Sequence, residues 1–461
     1  MDPYDSISPL DFRYYGTNPK LFEKLRCLSE SAFIQYLARV EVALVETLAE
    51  QKICSQAVAE EVRKAAAKVT AEAVYKEEGR IKHNIRALVN VLRSQVSDEA
   101  KPFVHFTATS HDIICTADAL RFKEATSKVL LPSLLELERT LMDIALREKA
   151  TVQIGRTHGQ HAEPITFGFF IAGYVSRLGG RIAALKEAAE QLKGKLSGAV
   201  GAYNASTLFF EDPEQFERRV LEKLDLKPAT HSTQITEPEP LLDFVHAAVS
   251  AFGVIANLAD DLRHLQRSEI GEVAEAFGTD QVGSSTMPHK RNPISFENVK
   301  SLWKAFMPRM NTLYLDQISE HQRDLTNSAS MRFVPEILAG LVIAVDRMDG
   351  TLKKLVVDQE ALSRNFAMSK DLIPAEPLYI LLAAHNHPDA HEASRKLSQA
   401  ARVSGKSLIE LARKDPSLQP YLALFTKRQL ALLEHPEQYT GKAAEKTEKV
   451  VTAWKKRLWA Q

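Results

Sequence analysis

A chain of 461 residues, 45% hydrophobic and 26% charged, is too long for one ordinary core and is composed like a globular protein of about two to four domains. Lys plus Arg (59) balances Asp plus Glu (59), so the basic excess of a dedicated nucleic-acid binder is absent and no nucleic-acid partner is expected. The three cysteines, Cys27, Cys54 and Cys115, are too sparse for a disulfide framework and predict a reducing, cytoplasmic setting without a zinc cluster.

Residues 1–20 are rich in turn formers and carry Arg13, Tyr14 and Tyr15. This polar start has no signal-peptide pattern, and no apolar run reaches the roughly 18 residues of a membrane span, so no membrane partner is expected. Phe33, Leu37, Val40, Leu44 and Leu48 recur at helical spacing, 55–75 reads as helix, and Ile81, Ile85, Leu88 and Leu92 continue the pattern over 80–96. A small helical domain over 1–108 follows.

The longest periodic segments come next. Leu130, Leu134, Leu137, Leu141 and Ile144 mark one face, Phe167 to Leu192 a second and Leu241 to Leu265 a third; 296–318 and 334–355 give two more. Long helices of similar length pack most simply side by side, which predicts a central bundle domain over 109–348. From 349 to 461 the helices shorten, and Pro and His become frequent; the last segment, 441–459, reads as an amphipathic helix docked by Trp454. Strand-like alternation is nearly absent, so the fold class is all-α: three helical domains around a long-helix bundle. Bundle segments such as FGFFIAGYVSRLGGRIAALKEAA are apolar around their circumference. Burial against other subunits explains this, as does a central helix of a large bundle.

Several polar stretches interrupt the helices. Residues 278–298, GTDQVGSSTMPHKRNPISFEN, hold two prolines and a Gly-Ser-Ser tract and read as a loop. Its glycine and its Lys290, Arg291 and Asn292 are the parts of an anion-binding lid, and equally of a solvated basic loop. GRTHGQHAEP carries Arg156, Thr157, His158 and His161 in a loop opening a helix, a candidate for acid/base work or a polar cap. HFTATSHDIICTADAL places His105, Thr109, Ser110, His111 and Asp112 ahead of a helix, as capping or anion-contact groups. HQRDLTNSASMRF brings Arg323, Ser328 and Arg332 together, which suits a phosphate clamp or surface ion pairs. His83 lies alone on a patterned segment, and HLQRSEIGEVAE carries charges that read mostly as structural ion pairs.

GSSTMPHKRNP resembles the signature loop of the fumarase/aspartase family of lyases, and GRTHGQHAEP, HFTATSHDIICTADAL, KLSGAVG and HSTQIT match further motifs in order, over roughly residues 10 to 400. The resemblance implies an all-α homotetramer with sites shared between subunits and a β-elimination releasing fumarate, with no cofactor and no metal. It makes Ser284 the base and His158 the acid, with His83, Lys290 and Glu272 assisting the chemistry. Thr109, Ser110, Asp112, Thr157, Gln234 and Asn292 become substrate contacts. Arg323, Ser328 and Arg332, with Arg13 and Tyr14, resemble the branch of the family whose substrate carries a nucleoside monophosphate. Four positions depart from the family pattern: Asn84 and Cys115 stand where aspartates are usual, His161 replaces a proline, and EPEP follows Gln234 and Thr236 where a charged pair often stands. The rival readings are another member of the superfamily, such as carboxymuconate cycloisomerase or argininosuccinate lyase, and a non-catalytic helical scaffold.

Overall fold

The computed structural model describes residues 5–278, 285–287 and 289–459. The chain is mostly helical with a few short strands, and its contacts divide it into two compact units. The first comprises Met1–Leu135, Gly180–Ala256 and Val299–Arg347; the second comprises Glu136–Gly179, Asn257–Asn298 and Met348–Gln461.

In the first unit α1 (Glu30–Glu50) begins at Ser29, whose Oγ accepts the Ala32 N–H at 3.2 Å. Its Leu37, Val40, Leu44 and Leu48 are buried as their spacing predicts, while Phe33 is half-buried under the Arg121 guanidinium, 4.3 Å away. The pattern expected to run unbroken over 80–96 is interrupted. α2 (Ala71–Ile81) ends at Lys82, which is left-handed at φ 59°, and His83 caps α3 (Asn84–Arg93). α4 (Ser110–Ala125) continues through one π turn, Thr126–Leu130, into α5 (Leu131–Arg147).

The main departure from expectation lies in the second unit. GRTHGQHAEP forms a β-hairpin, β1 (Val152–Thr157) antiparallel to β2 (Gln160–Thr166), and helix α6 (Phe167–Glu190) starts only afterwards. His158 (φ 55°) and Gly159 (φ 73°) make the two-residue turn whose left-handed geometry suits tight hairpins. α7 (Glu239–Leu265) is long and apolar enough to cross a membrane by composition, but 61% of its apolar 18-residue stretch is buried within the protein. The single helix expected over 296–318 is split into α8 (Ile294–Phe306) and α9 (Arg309–Asp316) around Pro308, which lacks the N–H a continuous helix needs. α10 (Val334–Leu352) follows, and α11 (Ala443–Trp459) ends the described chain.

α11 docks within the second unit through Trp454, whose Nε1 donates to Ser176 Oγ at 3.3 Å. Gly179 is required there, because a Cβ would stand 2.6 Å from the Trp454 ring. Beside it Glu138 is fully buried, and neither of its carboxyl oxygens has a hydrogen-bond partner among the described residues. Burial pushes its pKa up to about 9. The folded chain thus keeps a proton that the unfolded chain releases near the ordinary value of 4.5. Stability attributable to this group is therefore lost as pH rises between those values, by about 1.4 kcal/mol per pH unit. Glu138→Gln is expected to gain melting temperature over the parent, with a gap that widens from pH 5 to pH 9. Parallel melting curves across that range would contradict it.

Candidate active site

The first unit gathers several of the motif residues around the start of α4. The Thr109 N–H donates to Asp112 Oδ2 at 2.9 Å, fixing the first turn. Asp112 is fully buried, and its carboxylate pairs with Lys195, which is also fully buried. It further accepts the Gly198 N–H, at 3.2 Å to each oxygen, while Lys195 Nζ also donates to the Gly198 carbonyl at 3.0 Å. Asp112 is thus an anchor that ties the SGAVG loop to the helix; its oxygens are committed to the protein. Lys195 heads the KLSGAVG motif, yet nothing in its local sequence marks it as the partner of Asp112. The adjoining HSTQIT loop is pinned in turn, by a Ser197–Ser232 hydroxyl bond of 2.6 Å and by the Gln234 N–H donating to the Gln322 carbonyl at 3.3 Å. A Cβ on Gly201 (φ 78°) would meet the Ser232 carbonyl at 1.9 Å, so only glycine lets these two loops touch.

Arg323 belongs to the same neighbourhood. Its Nη2 bonds Asn327, while its Nε and Nη1 are buried without a partner among the described residues. Burial depresses its pKa. His111, on the first turn of α4, is pushed down to about 4 by burial, by Arg323 and by Lys195, which keeps it neutral at ordinary pH. Cys115 Sγ, where the family has an aspartate, lies 3.9 Å from His111 Nδ1. Ser328 and Arg332 are exposed, Arg332 close enough to act electrostatically on Tyr75. Arg13 and Tyr14 lie on a short π turn, Leu10–Tyr14, with Arg13 exposed. His83 is exposed, and its Nδ1 accepts the Arg86 N–H at 3.2 Å; Asn84 Oδ1 accepts the Ile85 N–H at 2.7 Å and so serves the helix start.

The second unit carries the other motif residues. Thr157 and His158 are exposed at the hairpin tip, and His161 in β2 shares a 2.8 Å hydrogen bond with Ser369 Oγ. Glu272, expected to support a catalytic histidine or the loop lysine, is fully buried beneath the hairpin. It binds Arg156 at 2.6 Å, Gln153 at 2.8 Å and Asn365 at 2.9 Å, which makes it a brace for β1. The Glu275 carboxylate accepts the Ser295 and Phe296 N–H groups, each at 2.9 Å, and so caps α8 where the signature loop ends. Within that loop Lys290 is exposed, its N–H donating to the Met287 carbonyl at 3.0 Å, and the Asn292 carbonyl accepts the Ile294 N–H at 2.9 Å. Ser284 lies outside the described residues. Among the described residues no group of His, Cys, Asp and Glu side chains is placed to hold a metal ion.

The mostly helical architecture, with these motif segments in this order along it, defines a lyase of the fumarase/aspartase type. Residues 11–305 match a family model described as lyase, and residues 319–439 match the adenylosuccinate lyase C-terminal model. The chain is 35% identical to adenylosuccinate lyase of Archaeoglobus fulgidus, over 96% of this chain and 98% of that one. It is 37% identical to adenylosuccinate lyase of Pyrococcus abyssi, over 97% of each. The chain belongs to the adenylosuccinate lyase family. Its fold is shared with the 3-carboxy-cis,cis-muconate lactonizing enzyme of Pseudomonas putida, at TM-score 0.84 and 24% identity over 98% of this chain and 100% of that one.

Proposed function

We propose that the protein cleaves adenylosuccinate to AMP and fumarate, and likewise the succinyl-aminoimidazole-carboxamide ribotide of purine synthesis. The observation that carries this reading is Arg323, whose two buried guanidinium nitrogens lack a partner among the described residues. Such a group costs stability unless a ligand anion completes it. The phosphate of a nucleotide substrate supplies such an anion.

The reaction removes a proton from the carbon beside a succinyl carboxylate. Negative charge then develops on that carboxylate, and the loop donors with Lys290 and Asn292 stabilise it. The electron pair forms the fumarate double bond as the carbon–nitrogen bond breaks, and the leaving nitrogen takes a proton. Family resemblance gives the first transfer to Ser284 and the second to His158. A serine serves as base only as an alkoxide, which the positive loop favours. No step of this elimination needs a cofactor. The working enzyme is a homotetramer whose subunits share active sites, in a cytoplasmic location suited to three free cysteines.

Fumarate release from adenylosuccinate, its dephosphorylated nucleoside and argininosuccinate, together with consumption of carboxymuconate, tests the reading; turnover confined to the phosphorylated purine substrates is expected. Arg323→Gln should raise the KM for adenylosuccinate about tenfold or more, the worth of a lost charged hydrogen bond. Unchanged KM in that variant would remove the anion-clamp role.

A further inference from the structure

His105 has no role in the scheme above, yet the fold constrains it closely. It lies in the turn before α4 with φ 68°, a left-handed conformation that non-glycine residues adopt at a cost. One carboxylate holds it there. Glu41 Oε2 accepts the His105 backbone N–H at 3.0 Å, and Glu41 Oε1 lies 2.7 Å from the ring Nδ1. Glu41 sits on α1 with no solvent exposure, among the buried Leu37, Val40, Leu44 and Val45. A carboxylate in such surroundings costs stability unless paired, and each of its oxygens is matched to a nitrogen of His105.

We infer that Glu41 is a positioning residue for the elimination: through Nδ1 it holds His105 as a cationic imidazole whose Nε2 is left to donate to the anionic substrate at the α4 helix start. This rests on the proposed function, because it takes the substrate to be a phosphorylated succinyl compound. The charged groups facing the ring are Glu41 from α1, Asp112 from α4 and Arg86 from α3. Burial lowers the imidazole pKa and Arg86 lowers it further, but Glu41 and Asp112 outweigh them and the net shift is upward. The ring side chain keeps 18% exposure, enough for a ligand to reach it.

The test is AMP binding by calorimetry, with kcat and KM for adenylosuccinate, from pH 6 to pH 9. Wild type, Glu41→Gln, His105→Gln and the double variant are compared. In wild type, affinity falls on the alkaline side as the imidazole deprotonates. Glu41→Gln should move that fall to lower pH by about one unit or more, costing about tenfold in KM at pH 8 and little at pH 6. His105→Gln should abolish the alkaline fall, and adding Glu41→Gln should then change nothing further. A purely structural Glu41 would instead weaken binding equally at every pH, which overturns the inference. If Glu41→Gln does not fold, an alkaline fall that persists in His105→Gln overturns it as well. Wild-type protein that binds AMP but releases no fumarate defeats the elimination reading alone; the AMP profiles still judge the Glu41–His105 pair.

Discussion

Ser284→Ala and His158→Gln are expected to reduce turnover of adenylosuccinate by about 10²–10⁴-fold each while leaving the helical content unchanged. For both residues, loss of the side chain should cost the fold little. His158 is exposed at the tip of a two-residue hairpin turn, held by the β1–β2 ladder rather than by its own contacts. Its substitution by glutamine keeps polarity and size but removes the titrating nitrogen. Ser284 differs from alanine by one hydroxyl. If the two act on one reaction, the double variant should lose little more than the worse single one, because each step is useless without the other. Steady-state and single-turnover rates with saturating substrate check this. Near-normal turnover in either variant would reject its assigned role.

Lys195→Met is expected to destabilise the protein by about 3–5 kcal/mol, the range for removing one partner of a buried ion pair. Asp112 would keep its carboxylate in a fully buried position with only the Thr109 and Gly198 N–H groups to satisfy it. The SGAVG loop would lose the bond from Lys195 Nζ to the Gly198 carbonyl. Asp112→Asn in the same chain should recover part of the loss, since it removes the orphaned charge. Denaturant titration followed by circular dichroism measures both. A Lys195→Met midpoint equal to the parent's would mean that the pair contributes nothing.

The helical architecture was legible because apolar spacing is a local signal. Leu37, Val40, Leu44 and Leu48 announce α1, and Leu134, Leu137 and Leu141 announce α5; all are buried. The hairpin was not legible. GRTHGQHAEP is too short and polar for a strand period, and the left-handed pair His158–Gly159 that closes it carries a conformational signal rather than a hydrophobic one. The break at Pro308 interrupts an apolar spacing that by itself reads as one helix over 296–318.

At the site, motif matching picks out segments, while the contacts of individual side chains come from the fold. Asp112 and Glu272, expected at the substrate or the chemistry, are buried and hydrogen-bonded to protein groups. Their partners, Lys195 and Arg156, lie 83 and 116 residues away along the chain, which no local pattern reports. Glu41 is the same case: a carboxylate at an apolar position of α1 was the available signal, and its meaning came from His105, 64 residues later.

The most direct measurement is a proton NMR time course of the purified protein with adenylosuccinate, following substrate and products together. Fumarate and AMP are expected to appear in equal amounts as the succinyl signals decline, with neither formed by Ser284→Ala on the same timescale. Adenylosuccinate left intact by folded wild-type protein that consumes argininosuccinate or a carboxymuconate instead would contradict the proposed activity.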